Sequence, residues 1–291
     1  MSTTINRVAY KVHPKEETYF AIKIFFSVIL YFLIIKGLIS LGTANEKTRL
    51  VDGVFIFYGV LIILLLVLRF VVLIGYLKGN AVKISSKQFP DIYNIVVKQS
   101  ATLGLDTVPD VFILQAGGFL NAFATRFVGT NYIVIYSDVI DSAYQIDFKV
   151  VEFIIGHEMG HIKRKHITKR LLLFPAIVIP FLGSAYSRAC EYTCDRIGYE
   201  LCPEGAKPGM ILLAAGKGLS KKVNIQAYIE QIQTESGFTN WFAEKLQSHP
   251  NLTKRVNAFN QLVPAKPVIM QEPVKLKDIV PTDDHTKFMP K

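Results

Sequence analysis

Cysteine is scarce in this chain. Only Cys190, Cys194 and Cys202 occur in 291 residues. An odd count, clustered late, does not make a disulfide framework. Cys190 and Cys194 are four apart on an expected helix, an awkward spacing for a bridge. A reducing, cytoplasm-facing domain with small buried thiols is the simplest expectation. Charge is scarce too: 19% of residues are Asp, Glu, Lys or Arg, while 51% are hydrophobic. That excludes an ordinary soluble domain of this size and points to membrane segments. Acidic residues are outnumbered 23 to 33, for a net charge of +10. No nucleic-acid motif accompanies the excess, so it reads as a face toward anionic lipid. No internal repeat is present. No small-residue cleavage site follows the first apolar run, which starts late and is long, so a cleavable signal peptide is not expected.

What the chain has instead is two long apolar runs, at residues 20–41 and 54–77. Each can cross ~30 Å of hydrocarbon as a helix. Lys23 and Lys36 lie near opposite ends of the first run, where both can snorkel to an interface. Arg69 lies near the end of the second, toward Lys78. The connecting loop holds Lys47 and Arg49, against Arg7, Lys11 and Lys15 on one flank and Lys78, Lys83 and Lys87 on the other. The basic bias places both ends in the cytoplasm.

Beyond the runs, apolar periodicity predicts a helix over 85–103, with Pro90 in its first turn. Strands are expected at 108–114, 119–125 and 132–136, the last two around a break at 128–131. A helix then begins near 144–147. Its far end carries Lys163, Arg164, Lys165, Lys169 and Arg170, a solvated face or a headgroup contact. The apolar run 171–183 contains Pro175 and Pro180 and is too short to span. It reads as an interfacial or re-entrant segment, or a buried helix hairpin. Helices are expected at 187–201, 204–219, 223–234, 239–246 and 251–262, with Trp241 as a packing residue. The tail 264–291 is rich in proline and charge and is expected to have little structure.

The helix that begins near 144–147 carries His157-Glu158-Met159-Gly160-His161, an H-E-x-x-H motif. Residues four apart share one helix face, so both imidazoles can reach one metal ion, with Glu158 beside them as general base. Gly156 and Gly160 each cost roughly 1 kcal/mol in a helix interior, which implies a close neighbour. A bland amphipathic helix can carry the motif by chance, but this one has a downstream partner. Glu191 is the best third ligand, and Asp195, one turn on, can orient a ligating histidine. Each acid alone would read as a surface charge.

These residues resemble the HtpX-like membrane zinc metalloproteases, relatives of the type 1 CAAX prenyl proteases. Asn121-Ala122-Phe123-Ala124 is similar to the family's N-A-x-A strand. Ser187-Arg188-x-x-Glu191-x-x-Cys194-Asp195 is similar to its S-R-x-x-E-x-x-A-D helix, with cysteine for the usual alanine. His249-Pro250 with Arg255 resembles its late H-P-x-x-x-x-R element. Many members carry two spans where this chain has only 171–183.

The resemblance implies an α+β zincin-like fold of the gluzincin type behind two transmembrane helices. It implies one zinc ion on His157, His161 and Glu191, with Glu158 activating water. His249 would stabilise the oxyanion and Arg255 would support the site. Asn121, Ala122, Phe123 and Ala124 would hold an extended substrate by strand addition. His166 does not share the ligand face well, and His13 and His285 fall in ends expected to be flexible. The resulting division is a cytoplasmic segment 1–19, a two-helix anchor 20–77, a protease domain 78–263 and a tail 264–291. The expected function is a membrane-anchored zinc metalloendopeptidase acting on membrane or membrane-associated proteins, in a bacterial plasma membrane with its protease domain toward the cytoplasm. A catalytically silent zincin-fold scaffold is the alternative.

Overall fold

A computed structural model describes residues 8–40, 46–118 and 120–262. The tail and His285 lie outside the described residues. Two long helices come first, α1 (Pro14–Ser40) and α2 (Glu46–Asn80). Then follow β1 (Val82–Lys83), α3 (Pro90–Leu103), β2 (Asp110–Leu114), β3 (Ala122–Phe127), β4 (Thr130–Tyr136) and α4 (Ser137–Gln145). The remainder is helical: α5 (Phe148–Lys163), α6 (His166–Leu172), α7 (Leu182–Leu201), α8 (Pro203–Leu219), α9 (Ile225–Thr234), α10 (Phe238–Leu246) and α11 (Leu252–Ala258). The fold is α+β and mostly helical.

α1 and α2 are long and apolar enough to cross a membrane. Phe25, Phe32, Ile39, Phe55 and Ile63 are all exposed, so these are not core helices of a soluble domain. One face of α1 is nevertheless spoken for. Glu16, Lys23 and Ser27 are buried at helical spacing where α1 packs on α7. Lys23 therefore does not snorkel: its Nζ sits 5.2 Å from the centre of the Tyr186 ring. His13 is likewise held, its backbone N–H donating to Thr193 Oγ1 at 3.0 Å and its ring stacked on Tyr192.

The sheet order is β1-β2-β4-β3, with β4 parallel to β2 and antiparallel to β3. Tyr132 to Ile135 of β4 are buried in succession, as suits an inner strand covered on both faces. One face packs on α5. The other meets the end of α2, where Ile74 and Leu77 join Phe112, Tyr132 and Val134. β3 and β4 turn through Val128-Gly129, whose φ values of 44° and 83° match the tight hairpin that suits strand twist. β3 is left as an edge.

α5 begins at an Asp147 cap that accepts from Lys149 N at 2.9 Å. It runs through the core against α7, and the two backbones approach closely. A Cβ on Gly160 would lie 3.1 Å from Cys194 Cα, and one on Gly156 would lie 3.3 Å from Gly198 Cα. The close neighbour implied by the two glycines is α7, with Cys194 facing Gly160 and Gly198 facing Gly156.

Several elements differ from the sequence expectations. α4 is a helix that the periodicity did not reveal, because its nine residues bury little beyond Val139 and Ile140. α3 starts at Pro90 rather than 85, since Ser85 and Gln88 pair in a turn. The run 171–183 is not a buried hairpin: it is the end of α6, a short 3-10 turn at Phe174–Val178 and an exposed Phe181. That turn lies along α1, with the Tyr31 hydroxyl donating to Leu172 O at 2.9 Å. Trp241 is exposed beside Phe238 rather than packed in the core.

Candidate metal centre

α5 and α7 bring His157, His161 and Glu191 together. His157 Nε2 is 3.3 Å from Glu191 Oε2, and His161 Nε2 is 3.4 Å from Glu191 Oε1. Zinc takes such ligands at about 2.0–2.1 Å in a tetrahedron, which sets neighbouring donors about 3.3–3.4 Å apart. The three residues fit one zinc-sized ion. Two imidazoles with one carboxylate also suit zinc chemically.

Of the three candidate ligands, His157 and Glu191 are buried and His161 is half-buried, and all are held from behind. His157 Nδ1 lies 2.9 Å from Asp195 Oδ1, a close contact bent from the ideal N–H direction. Arg255 clamps Asp195 with two bonds, Nε to Oδ2 at 2.8 Å and Nη2 to Oδ1 at 2.6 Å. Burial alone would raise the Asp195 pKa, but Arg255 and His157 outweigh it and hold the carboxyl below its usual range. Glu191 is held well below its usual value despite burial, by His157, His161 and Arg255. Burial would lower the His157 pKa, yet Asp195 and Glu191 raise it to about 10. Negative charge that holds a proton this firmly also suits a dication.

Glu158 is buried beside His157. Both line a cavity of about 60 Å³ with Asn121, Ala122, Glu191, His249 and Arg255. His249 reaches in from the turn between α10 and α11, its Nε2 3.5 Å from Glu191 Oε1. Ser248 Oγ stands 3.0 Å from His249 Nδ1. With that hydroxyl donating, the imidazole proton sits on Nε2, aimed at the cavity. A larger hollow of about 590 Å³ opens next to it, sharing Asn121, His249 and Arg255.

The four strand residues divide. Asn121 and Ala122 line the cavity. Ala124 packs on the main core, and Phe123 points to the opposite face against Tyr136. In the antiparallel ladder Tyr136 N donates to Asn121 O at 3.0 Å. By alternation Phe123 and Thr125 also turn their backbone groups to β4, which leaves those of Ala122 and Ala124 toward the open edge. The Ala122 N–H is met by Asn121 Oδ1 at 2.9 Å.

Sequence reasoning missed the support behind His161. Lys165 adopts a left-handed conformation, φ 54°, that ends α5 and folds His166 back. His166 Nδ1 then lies 3.1 Å from His161 Nδ1, and His166 Nε2 lies 3.1 Å from Glu16 Oε1. Burial lowers the His166 pKa to about 4, against the opposing pull of Glu16. Arg164 binds Glu16 Oε1 through Nε at 3.1 Å and Nη2 at 2.9 Å. The basic cluster after α5 is thus partly internal rather than a solvated face: Arg170 donates to Ser187 Oγ at 2.6 Å, and Lys169 covers the Phe20 ring. No signal in the sequence marked Glu16, because an acid before an apolar run usually faces water. Burial pushes the Cys190 and Cys202 thiols up to about 12, so neither is a thiolate at neutral pH.

No curated protein matches the chain closely enough to serve as a relative. A family model does match, over residues 86–178 and 172–263, and the two stretches meet at the exposed turn beside α1. Together they cover α3, the sheet beyond β1 and every residue of the candidate centre except Glu16. The chain belongs to peptidase family M48.

Proposed function

We propose that this metallopeptidase is a membrane-anchored, HtpX-like zinc endopeptidase that cleaves membrane or membrane-associated proteins in extended segments. The observation that carries the reading is the convergence of His157, His161 and Glu191 on one ion-sized space beside Glu158 and the open edge of β3. When bound, zinc supplies Lewis-acid polarisation of the scissile carbonyl and lowers the pKa of its water to about 7.

The chain's own residues do the rest. The backbone of Ala124 pairs with the substrate, as an added strand does. Glu158 accepts a proton from the attacking water and passes it to the leaving amine. His249 donates from Nε2 to the developing oxyanion, an interaction of a kind worth about 3–4 kcal/mol in the transition state. Asp195 and Arg255 keep His157 in position. The exposed apolar surface of α1 and α2 supports an anchor over 20–77, with the protease domain over 78–263. The basic flanks support a protease domain on the cytoplasmic face, and the HtpX-like resemblance alone favours a bacterial plasma membrane over an organellar one.

The test is wild type beside Glu158→Gln, both in detergent, with zinc measured on each and an unfolded casein as substrate. Cleavage by wild type alone at equal zinc is the expected outcome. Full proteolysis by Glu158→Gln with zinc bound would remove Glu158 from its role.

A further inference from the structure

Each zinc-site histidine is backed by a carboxylate that an arginine clamps. For His157 the carboxylate is Asp195, on the neighbouring zinc helix. For His161 it is Glu16, in the first turn of the membrane helix α1, acting through His166. We propose that Glu16 and His166 are positioning residues of the metal centre, fixing the tautomer and ring orientation of His161. This rests on His161 being a metal ligand.

Proton positions make the argument. Arg164 and His166 both address Glu16 Oε1, and a carboxylate can only accept. His166 therefore carries its hydrogen on Nε2, and its Nδ1 presents a lone pair. Facing that lone pair at 3.1 Å, His161 Nδ1 must be the donor. The remaining lone pair of His161 then falls on Nε2, the atom 3.4 Å from Glu191. With both imidazoles neutral, any other pair of tautomers sets two lone pairs or two hydrogens against each other along the His161–His166–Glu16 chain, where His166 and Glu16 are buried away from water.

The cluster has a rival use. Glu16, His166 and Cys190 lie within ligand distance of one another, and so do His161, His166 and Cys194, but an ion in the second group would have to displace the hydrogen bond between the two Nδ1 atoms. Arg164 already places a cation on Glu16 Oε1, which disfavours a second ion there. The left-handed Lys165 is unfavourable for a residue with a Cβ, and it is what returns His166 to His161. The anchor thus supplies part of the metal centre from the far end of the sequence.

The experiment uses the full chain in detergent, with zinc affinity read by competition with a chromophoric chelator and the cobalt(II)-loaded absorption spectrum as a second readout. Glu16→Leu and His166→Leu remove the acceptors. His166→Asn places an amide oxygen where Nδ1 was. Both Leu variants are expected to bind zinc about 10–100-fold more weakly with altered cobalt spectra, while His166→Asn stays within about threefold of wild type. Unchanged affinity and spectrum in the Leu variants would overturn the proposal. So would a loss that tracks the thermal stability of the metal-stripped protein and is not restored by asparagine, which would mark a merely structural role. His161→Ala separates the premise: zinc binding as tight as wild type there would overturn the ligand assignment instead.

Discussion

Replacing Arg255 with methionine removes the cation from a buried ion pair of the site. Arg255 is 5% exposed and Asp195 is 3% exposed, and their bidentate contact is 2.6–2.8 Å. Breaking such a pair from one side costs about 3–5 kcal/mol, because the surviving charge stays buried without a partner. Asp195 would escape by taking a proton, which gives the loss a pH signature. In wild type its pKa is held below the unfolded value of about 3.9. The pair's contribution is therefore complete above about pH 4 and is lost as pH falls through the folded value. Urea denaturation of wild type and Arg255→Met should differ most near neutrality and converge in acid. Adding Asp195→Leu removes the stranded charge, so the double variant should regain stability over Arg255→Met. It should still bind zinc about 10–100-fold more weakly than wild type, since His157 has lost its acceptor. The reasoning is refuted if Arg255→Met lies within about 0.5 kcal/mol of wild type at pH 7, or if the double variant is no more stable than the single.

Two further outcomes follow from the same geometry. Since Asp195 and Glu191 raise His157 to about 10, metal must displace a proton there. Zinc affinity should rise about tenfold per pH unit between pH 6 and 9, as one displaced proton requires, and a flat profile by chelator competition would contradict the assignment. Ala124→Pro removes one edge N–H from β3 without touching the ladder to β4, a place where proline is tolerated. It should lower kcat/KM about 3–10-fold, the worth of one net hydrogen bond, with zinc content unchanged; no change in peptide kinetics would argue against strand pairing.

Local chemistry was legible in the sequence, and long-range returns were not. The H-E-x-x-H spacing places two imidazoles on one face of α5, and Glu191 and Asp195 one turn apart meet them from α7. Gly156 and Gly160 announced a close crossing because glycine inside a helix needs a reason. His166 was set aside because five residues is the wrong spacing on a continuous helix. The helix is not continuous: the φ of Lys165 breaks it, and no residue type at that position signals the break. His13 and Lys23 read as features of a flexible or lipid-facing segment and Glu16 gave no signal, since composition reports the environment of an average residue and not of the one face of α1 that packs on α7. Short α4 escaped because nine residues hold too few turns for periodicity to show.

The junction between α2 and the sheet leaves almost no slack. α2 ends at Asn80, β1 starts at Val82, and Ile74 and Leu77 of the same helix already pack beneath β2 and β4. On the function proposed above, which puts α2 in the bilayer, the cleft would not wander on a tether; it would stand at a set height. An extended chain advances about 3.3 Å per residue, so that height is also a count of residues. The enzyme would behave as a ruler, cutting anchored substrates at a constant sequence distance from their own membrane segment.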